Sequence, residues 1–215
     1  MCPIITELLI ENNRPGTKLR PTSVTVHNTA NPNSTARNNR DYFSNHPNAR
    51  ASSHYVVDDI EIIRCIPEDE VSWHAGAVAN SSSISLEVCE FTDPLRQQLT
   101  NEQAASLVAD ILKRHGWGIE QIRTHKYWTG KECPRKLLPI WSQFLAMVQQ
   151  RLDVANDDGS STDPLVRAVA ILQSHGVINS PEYWLQNARA GKLAKGEFVY
   201  MLLINMAQNL EQGRR

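Results

Sequence analysis

The sequence predicts an α/β protein, a mixed central β-sheet flanked by helices, followed by a small all-α unit. Three observations predict it. Over about the first 150 residues, short apolar runs with period-two alternation stand between stretches of helical period. The segment Asn156-Asp-Asp-Gly-Ser-Ser-Thr-Asp163 is polar, small and acidic, a linker composition. Beyond it every periodic stretch is helical. The expected division is a first domain at 1–155, a linker at 156–163 and a helical domain at 164–215.

Taken in order, Val24 to Thr29 alternates as a strand, with Thr25, His27 and Thr29 on one face and Val24 and Val26 on the other. Ser34 to His46 is polar with a helical look. Ser53 to Asp58 and Glu61 to Ile66 flank Asp58-Asp59 as a hairpin-like pair. Ser83 to Glu90 alternates clearly. Ile84, Leu86 and Val88 point one way; Ser85, Glu87 and Cys89 point the other. Thr100 is expected to cap a helix that runs to His115 and stops at Gly116. A further helix is expected from about Pro139 to Leu152. In the last part, Asp163 caps a helix with Pro164 at its first position. Ser180-Pro181-Glu182 opens another, carrying Tyr183 and Trp184. A third runs from Gly196 to about Leu210.

Composition bounds the function. The chain is 41% hydrophobic and 21% charged with a formal net charge of −1, so its overall charge predicts no nucleic-acid partner. No apolar run approaches the roughly 18 residues that span a bilayer. The N-terminal segment lacks the basic flank and clean apolar core of a secretory signal, so synthesis in a cytoplasm is expected. Cys2, Cys65, Cys89 and Cys133 form no CxxC pair and no disulfide framework. Cys65 and Cys89 lie in apolar runs and read as inert buried thiols.

The chemistry concentrates in Arg123-Thr-His125-Lys-Tyr-Trp-Thr-Gly-Lys131-Glu-Cys133-Pro and in the strand bearing His27. Alone, each histidine reads better as a satisfied core residue than as a ligand. Together, His27, His125 and Cys133 are two imidazoles and a thiolate, a ligand set suited to Zn2+ with its fourth position open to water. Gly130, Lys131 and Pro134 mark the cysteine's surroundings as a turn-rich loop. Glu87 lies between Leu86 and Val88, where a carboxylate needs a partner, or a raised pKa and a task. That task would be general base catalysis beside an activated water. Lys131 would stabilise the charge that develops on a carbonyl under attack.

These segments, in this order from about residue 20 to 150, resemble the zinc-dependent N-acetylmuramoyl-L-alanine amidases of phage endolysins and bacterial autolysins, and more distantly peptidoglycan recognition proteins. The resemblance implies zinc ligation by His27, His125 and Cys133, with Glu87 and Lys131 as the catalytic pair. It implies a substrate groove lined by Trp73 and His74 of Trp73-His74-Ala75-Gly76. The implied substrate is bacterial peptidoglycan, cut between N-acetylmuramic acid and L-alanine. One departure stands out. Several branches carry a tyrosine near the metal where this chain has Ser53, which puts more weight on Glu87; His54 beside it reads as structural. Two alternatives remain at this stage: a non-catalytic peptidoglycan-binding module, and a cytoplasmic amidase that recycles soluble muropeptides. Non-catalytic recognition proteins of this kind typically lack the cysteine ligand, which this chain keeps. The C-terminal helices are expected to target the wall or to form a homodimer.

Overall fold

A computed structural model describes residues 2–156, 164–189 and 191–212. They form two compact units, one within Cys2–Gln149 and one beginning at Gln150. Asn156, expected to begin the linker, ends a helix; 157–163, including the expected Asp163 cap, lie outside the described residues.

The first unit is built on a six-stranded sheet of order β1-β4-β3-β5-β2-β6. Its strands are β1 (Ile4–Thr6), β2 (Ser23–Asn28), β3 (Tyr55–Val57), β4 (Ile62–Arg64), β5 (Ser83–Val88) and β6 (Ile122–Thr124). Only the β3–β4 hairpin is antiparallel; all other neighbours run parallel. The two strands the sequence did not announce, β1 and β6, have three residues each, too few to display alternation.

Register divides the sheet into two faces. β2 pairs β5 with Val24 opposite Ile84, Val26 opposite Leu86 and His27 opposite Glu87. Val24, Val26, Ile84, Leu86 and Val88 share one face and are fully buried. Helix α3 (Pro94–His115) packs on β2, β3 and β5 and buries Leu107, Val108, Ile111 and Leu112. The opposite face is split. Near β3 and β4 it is apolar, where Val56 and Ile63 join Phe43 of helix α1 (Ala36–Asn45) in one cluster. Near β2 and β5 it is polar, with Thr25, His27, Ser85 and Glu87 side by side. Cys65 and Cys89 are buried free thiols, as expected, and burial pushes the Cys65 thiol up to about 12.

One helix start is corrected. α3 begins at Pro94, capped by Asp93, whose carboxylate accepts the Arg96 N–H at 2.9 Å. Thr100, expected as the cap, lies inside the helix and donates its hydroxyl to the Arg96 carbonyl. An Asp-Pro pair is a strong start because the proline lacks the amide that a first turn leaves unpaired. Gly116 ends the helix as expected, with φ +68°. Short helices α2 (Ala77–Asn80) and α4 (His125–Thr129) follow β4 and β6, and α5 (Trp141–Asn156) follows a 3-10 turn at Leu138–Ile140.

The second unit has helices α6 (Pro164–Ser174), α7 (Pro181–Asn187) and α8 (Gly196–Gln212). Tyr183 and Trp184 belong to its core with Val169, Val177, Ile178 and Leu185, and Tyr183 stacks on Phe198. The large apolar side chains that α8 leaves exposed are instead Tyr200, Met201, Leu203, Ile204 and Met206, with Ile171 and Leu193 exposed elsewhere in the unit. No helix among the described residues is long and apolar enough to cross a membrane.

Asp58 ties the fold at the site's flank. Its buried carboxylate accepts the Ala36 N–H at 2.8 Å, starting α1, and the Ile60 and Glu61 N–H groups at 2.9 and 2.8 Å, closing the hairpin turn. Charge-assisted bonds of this kind contribute roughly 1.5–3 kcal/mol each. Asp58→Ala is therefore expected to lower stability by at least about 3 kcal/mol, read as a shift in the urea midpoint.

Candidate functional site

The polar face of β2 and β5 carries the site. His27, the fifth residue of β2, is 2% exposed. His125 stands where β6 gives way to α4. The Thr124 hydroxyl caps that helix by accepting the Tyr127 N–H at 3.0 Å. Gly130 ends it at φ +78°, a conformation that a side chain disfavours, and turns the chain into the Cys133 loop. The loop is bound back by Lys126 N–H to the Cys133 carbonyl at 2.9 Å.

The three expected ligands meet. His125 Nδ1 lies 3.0 Å from His27 Nδ1, and Cys133 Sγ lies 3.8 Å from the same nitrogen. The three donor atoms all fall within 4.8 Å of one another, and all three residues are buried. They come from segments 98 and 106 residues apart, so only the fold brings them together. The other nitrogen of His27, Nε2, faces His74 Nδ1 at 3.0 Å.

Electrostatics suit a metal. Burial holds the His27 imidazole well below its ordinary range, and the neighbouring His74, His125 and Lys131 disfavour its protonation further. Burial and Lys131 also lower His125. Both rings are therefore neutral at physiological pH, each with a lone pair to give. Burial pushes the Cys133 thiol up to about 11, opposed by a backbone hydrogen bond at Asn28 and by the charge of Lys131. A cation arriving there must displace the thiol proton.

Glu87 sits beside His27 in register. Its Oε2 is buried and finds no hydrogen-bond donor among the described residues. Burial raises its pKa to about 8, with Lys131 opposing and Glu90 reinforcing the shift. Lys131 is exposed, yet its charge acts on His27, His125, Cys133 and Glu87 alike. Trp73 and His74 line an open groove of about 650 Å³ with Arg50, Gly76 and Asn80.

The family pattern of N-acetylmuramoyl-L-alanine amidases matches residues 17–136, which hold every one of these residues. The chain belongs to that family. Among curated relatives, the amidase XlyA of Bacillus subtilis (strain 168) is 41% identical over 140 residues, 63% of this chain and 46% of XlyA. The amidase CwlH of the same organism is 37% identical over 169 residues, covering 76% of this chain and 66% of CwlH. The chain thus spans about half to two thirds of these relatives' length. The solved catalytic domain of XlyA superposes with a TM-score of 0.64 at 37% identity, covering 68% of this chain and 99% of that domain. PlyL gives 0.62 at 30% identity, covering 68% of this chain and 96% of PlyL. The mixed sheet with flanking helices is the fold these amidase domains share.

Sequence reasoning missed the groups that hold the site. Glu90, with no exposed side-chain surface, forms a bidentate pair with Arg135 at 2.5–2.8 Å and ties the Cys133 loop to the end of β5. Asn28, next to His27, donates to the Val88 carbonyl at 3.1 Å and accepts the Lys136 N–H at 2.9 Å. The Trp128 indole donates to Thr25 at 2.8 Å, beneath the site. His54 is fully buried among Ser72, Ser85 and the Glu70 carbonyl, held near pKa 4 by burial, a structural role as expected. Ser53 is buried too, its hydroxyl donating to the carbonyls of Tyr55 and Ser85.

The raised Glu87 pKa sets a pH dependence in metal-free protein. The unfolded carboxyl ionises near 4.5 and the folded one near 8. Between these values the native state binds the extra proton, so stability falls as pH rises. Glu87→Gln removes this penalty. The variant is expected to match the wild type near pH 4.5 and to exceed it by on the order of 4 kcal/mol at pH 8, by urea unfolding in chelator.

Proposed function

We propose that this protein is a peptidoglycan hydrolase that cleaves the amide between N-acetylmuramic acid and L-alanine. The observation that carries this is the buried His27–His125–Cys133 cluster with the unpartnered Glu87 carboxylate one strand away. The donor set fits zinc: two neutral imidazoles suit it, and a thiolate favours it over magnesium or calcium. When bound there, zinc supplies Lewis acidity and lowers the pKa of water from about 15.7 toward about 7.

The protein's own groups would then divide the work. Glu87, ready to hold a proton near neutral pH, takes one from the attacking water and delivers it to the departing amine of L-alanine. Lys131, positive and exposed beside the cluster, stabilises the oxyanion on the lactyl carbonyl. Trp73 and His74 line the groove in which the glycan and stem peptide lie. The complete ligand set favours an enzyme over a binding module. The name of one solved relative, an endolysin from Bacillus subtilis, supports a lysin, and we read it as acting on intact wall after release from the cell in which it is made.

For the second unit we propose wall targeting or homodimerisation. Tyr183 and Trp184 are taken up by its core, so the exposed apolar face of α8 is the surface for that role. Deleting residues 157–215 is expected to weaken pelleting with purified walls or to convert a dimer to a monomer. Unchanged wall binding together with an unchanged number of subunits in solution would refute the proposal.

Activity is read as release of L-alanine amino termini from purified walls. A chelator is expected to abolish it and added zinc to restore it. Glu87→Gln is expected to lower the rate by about 10²–10⁴-fold. Lys131→Ala is expected to lower it by about 10²–10³-fold. Full release in the presence of chelator would overturn the assignment.

A further inference from the structure

The two ring nitrogens of His27 have different neighbours. Nδ1 faces His125 Nδ1 at 3.0 Å and Cys133 Sγ at 3.8 Å. Nε2 faces His74 Nδ1 at 3.0 Å. A neutral imidazole carries one proton, and it gives a metal the nitrogen that lacks it. With Nδ1 turned to the cluster, the proton belongs on Nε2. There it meets one ring nitrogen, His74 Nδ1, which must then be an acceptor.

We propose that His74 is a positioning residue of the metal centre, accepting the Nε2–H of His27 and so fixing that ring's tautomer and orientation. This rests on reading His27 as a metal ligand. It gives His74 a task beyond lining the groove. The two rings stand at 89° with centroids 5.1 Å apart, so they meet through ring atoms rather than stacked faces.

The backbone holds His74 firmly enough for the purpose. The His74 and Ala75 N–H groups both donate to Asn80 Oδ1, at 2.9 and 3.0 Å. Asn80 closes α2, and its own N–H donates to the Gly76 carbonyl at 2.9 Å. Gly76, at φ +87°, lets the chain reverse between His74 and that helix. On the other side, Trp73 exchanges two bonds with Ser52: its N–H donates to the Ser52 hydroxyl at 3.0 Å, and its carbonyl accepts the Ser52 N–H at 2.9 Å. The imidazole is therefore delivered to His27 by a turn clamped at both ends. Acceptors that orient a ligand histidine typically account for 10–100-fold in metal affinity.

The test uses the full chain and zinc alone, titrated against a chromophoric chelator. His74→Ala is expected to weaken zinc binding by about 10–100-fold. His74→Asn, whose Oδ1 can take the place of the ring Nδ1 as acceptor, is expected to stay close to the wild type. Nitrogen-15 spectra of zinc-free protein are expected to show His27 protonated at Nε2 in wild type and His74→Asn, and mixed tautomers in His74→Ala. Equal affinity in wild type and His74→Ala overturns the proposal, as does a His74→Asn variant as weak as His74→Ala. Should His74→Ala fail to fold, the spectra decide: a wild-type His27 protonated at Nδ1 overturns the proposal. A wild type that takes up no zinc defeats the metal reading itself, an outcome distinct from the others.

Discussion

The in-register parallel pairing of β2 with β5 is the constraint from which the site follows. Five apolar side chains, Val24, Val26, Ile84, Leu86 and Val88, are fully buried on the face covered by α3. Each contributes roughly 1.5–3 kcal/mol through burial. A slip of one residue would turn Thr25, His27, Ser85 and Glu87 into that core and expel its apolar set. The hydrophobic face thus fixes what happens on the other one. His27 and Glu87 lie on one face because the core excludes any odd shift of register, and the observed pairing sets them opposite each other.

What lies above that pair is an exchange between burial and charge. Desolvation keeps the imidazoles neutral, the thiol protonated and Glu87 ready to hold a proton, all in the same small volume. One exposed ammonium, Lys131, opposes the shifts of Glu87 and Cys133. A cation brought into the cluster would act in the same sense, favouring thiolate and carboxylate. The groups are arranged so that positive charge brings out their reactive forms.

Much of this was legible in the chain. The alternation around His27 and Glu87 gives both strands and both faces because a half-polar strand has to alternate. Cys133 stood out because glycine, lysine and proline around it are no packing set. The helix start at Asp93-Pro94 was present in the sequence, but Thr100 offered a second capping side chain within the same helix. Tyr183 and Trp184 look alike as core or contact residues until the Phe198 stack shows which they are. The contact of His74 with His27 was not legible at all. It spans 47 residues and depends on the Gly76 reversal and the Asn80 clamp, neither of which leaves a periodic trace.

The Glu90–Arg135 pair and the Asn28 amide hold the Cys133 loop against the end of β5 with no ion involved. In small zinc modules the ion takes the place of a core. Here the loop is tethered through the immediate neighbours of its thiol, Arg135 and Lys136, so a substitution at Glu90 or Asn28 would be felt at Cys133 without touching it.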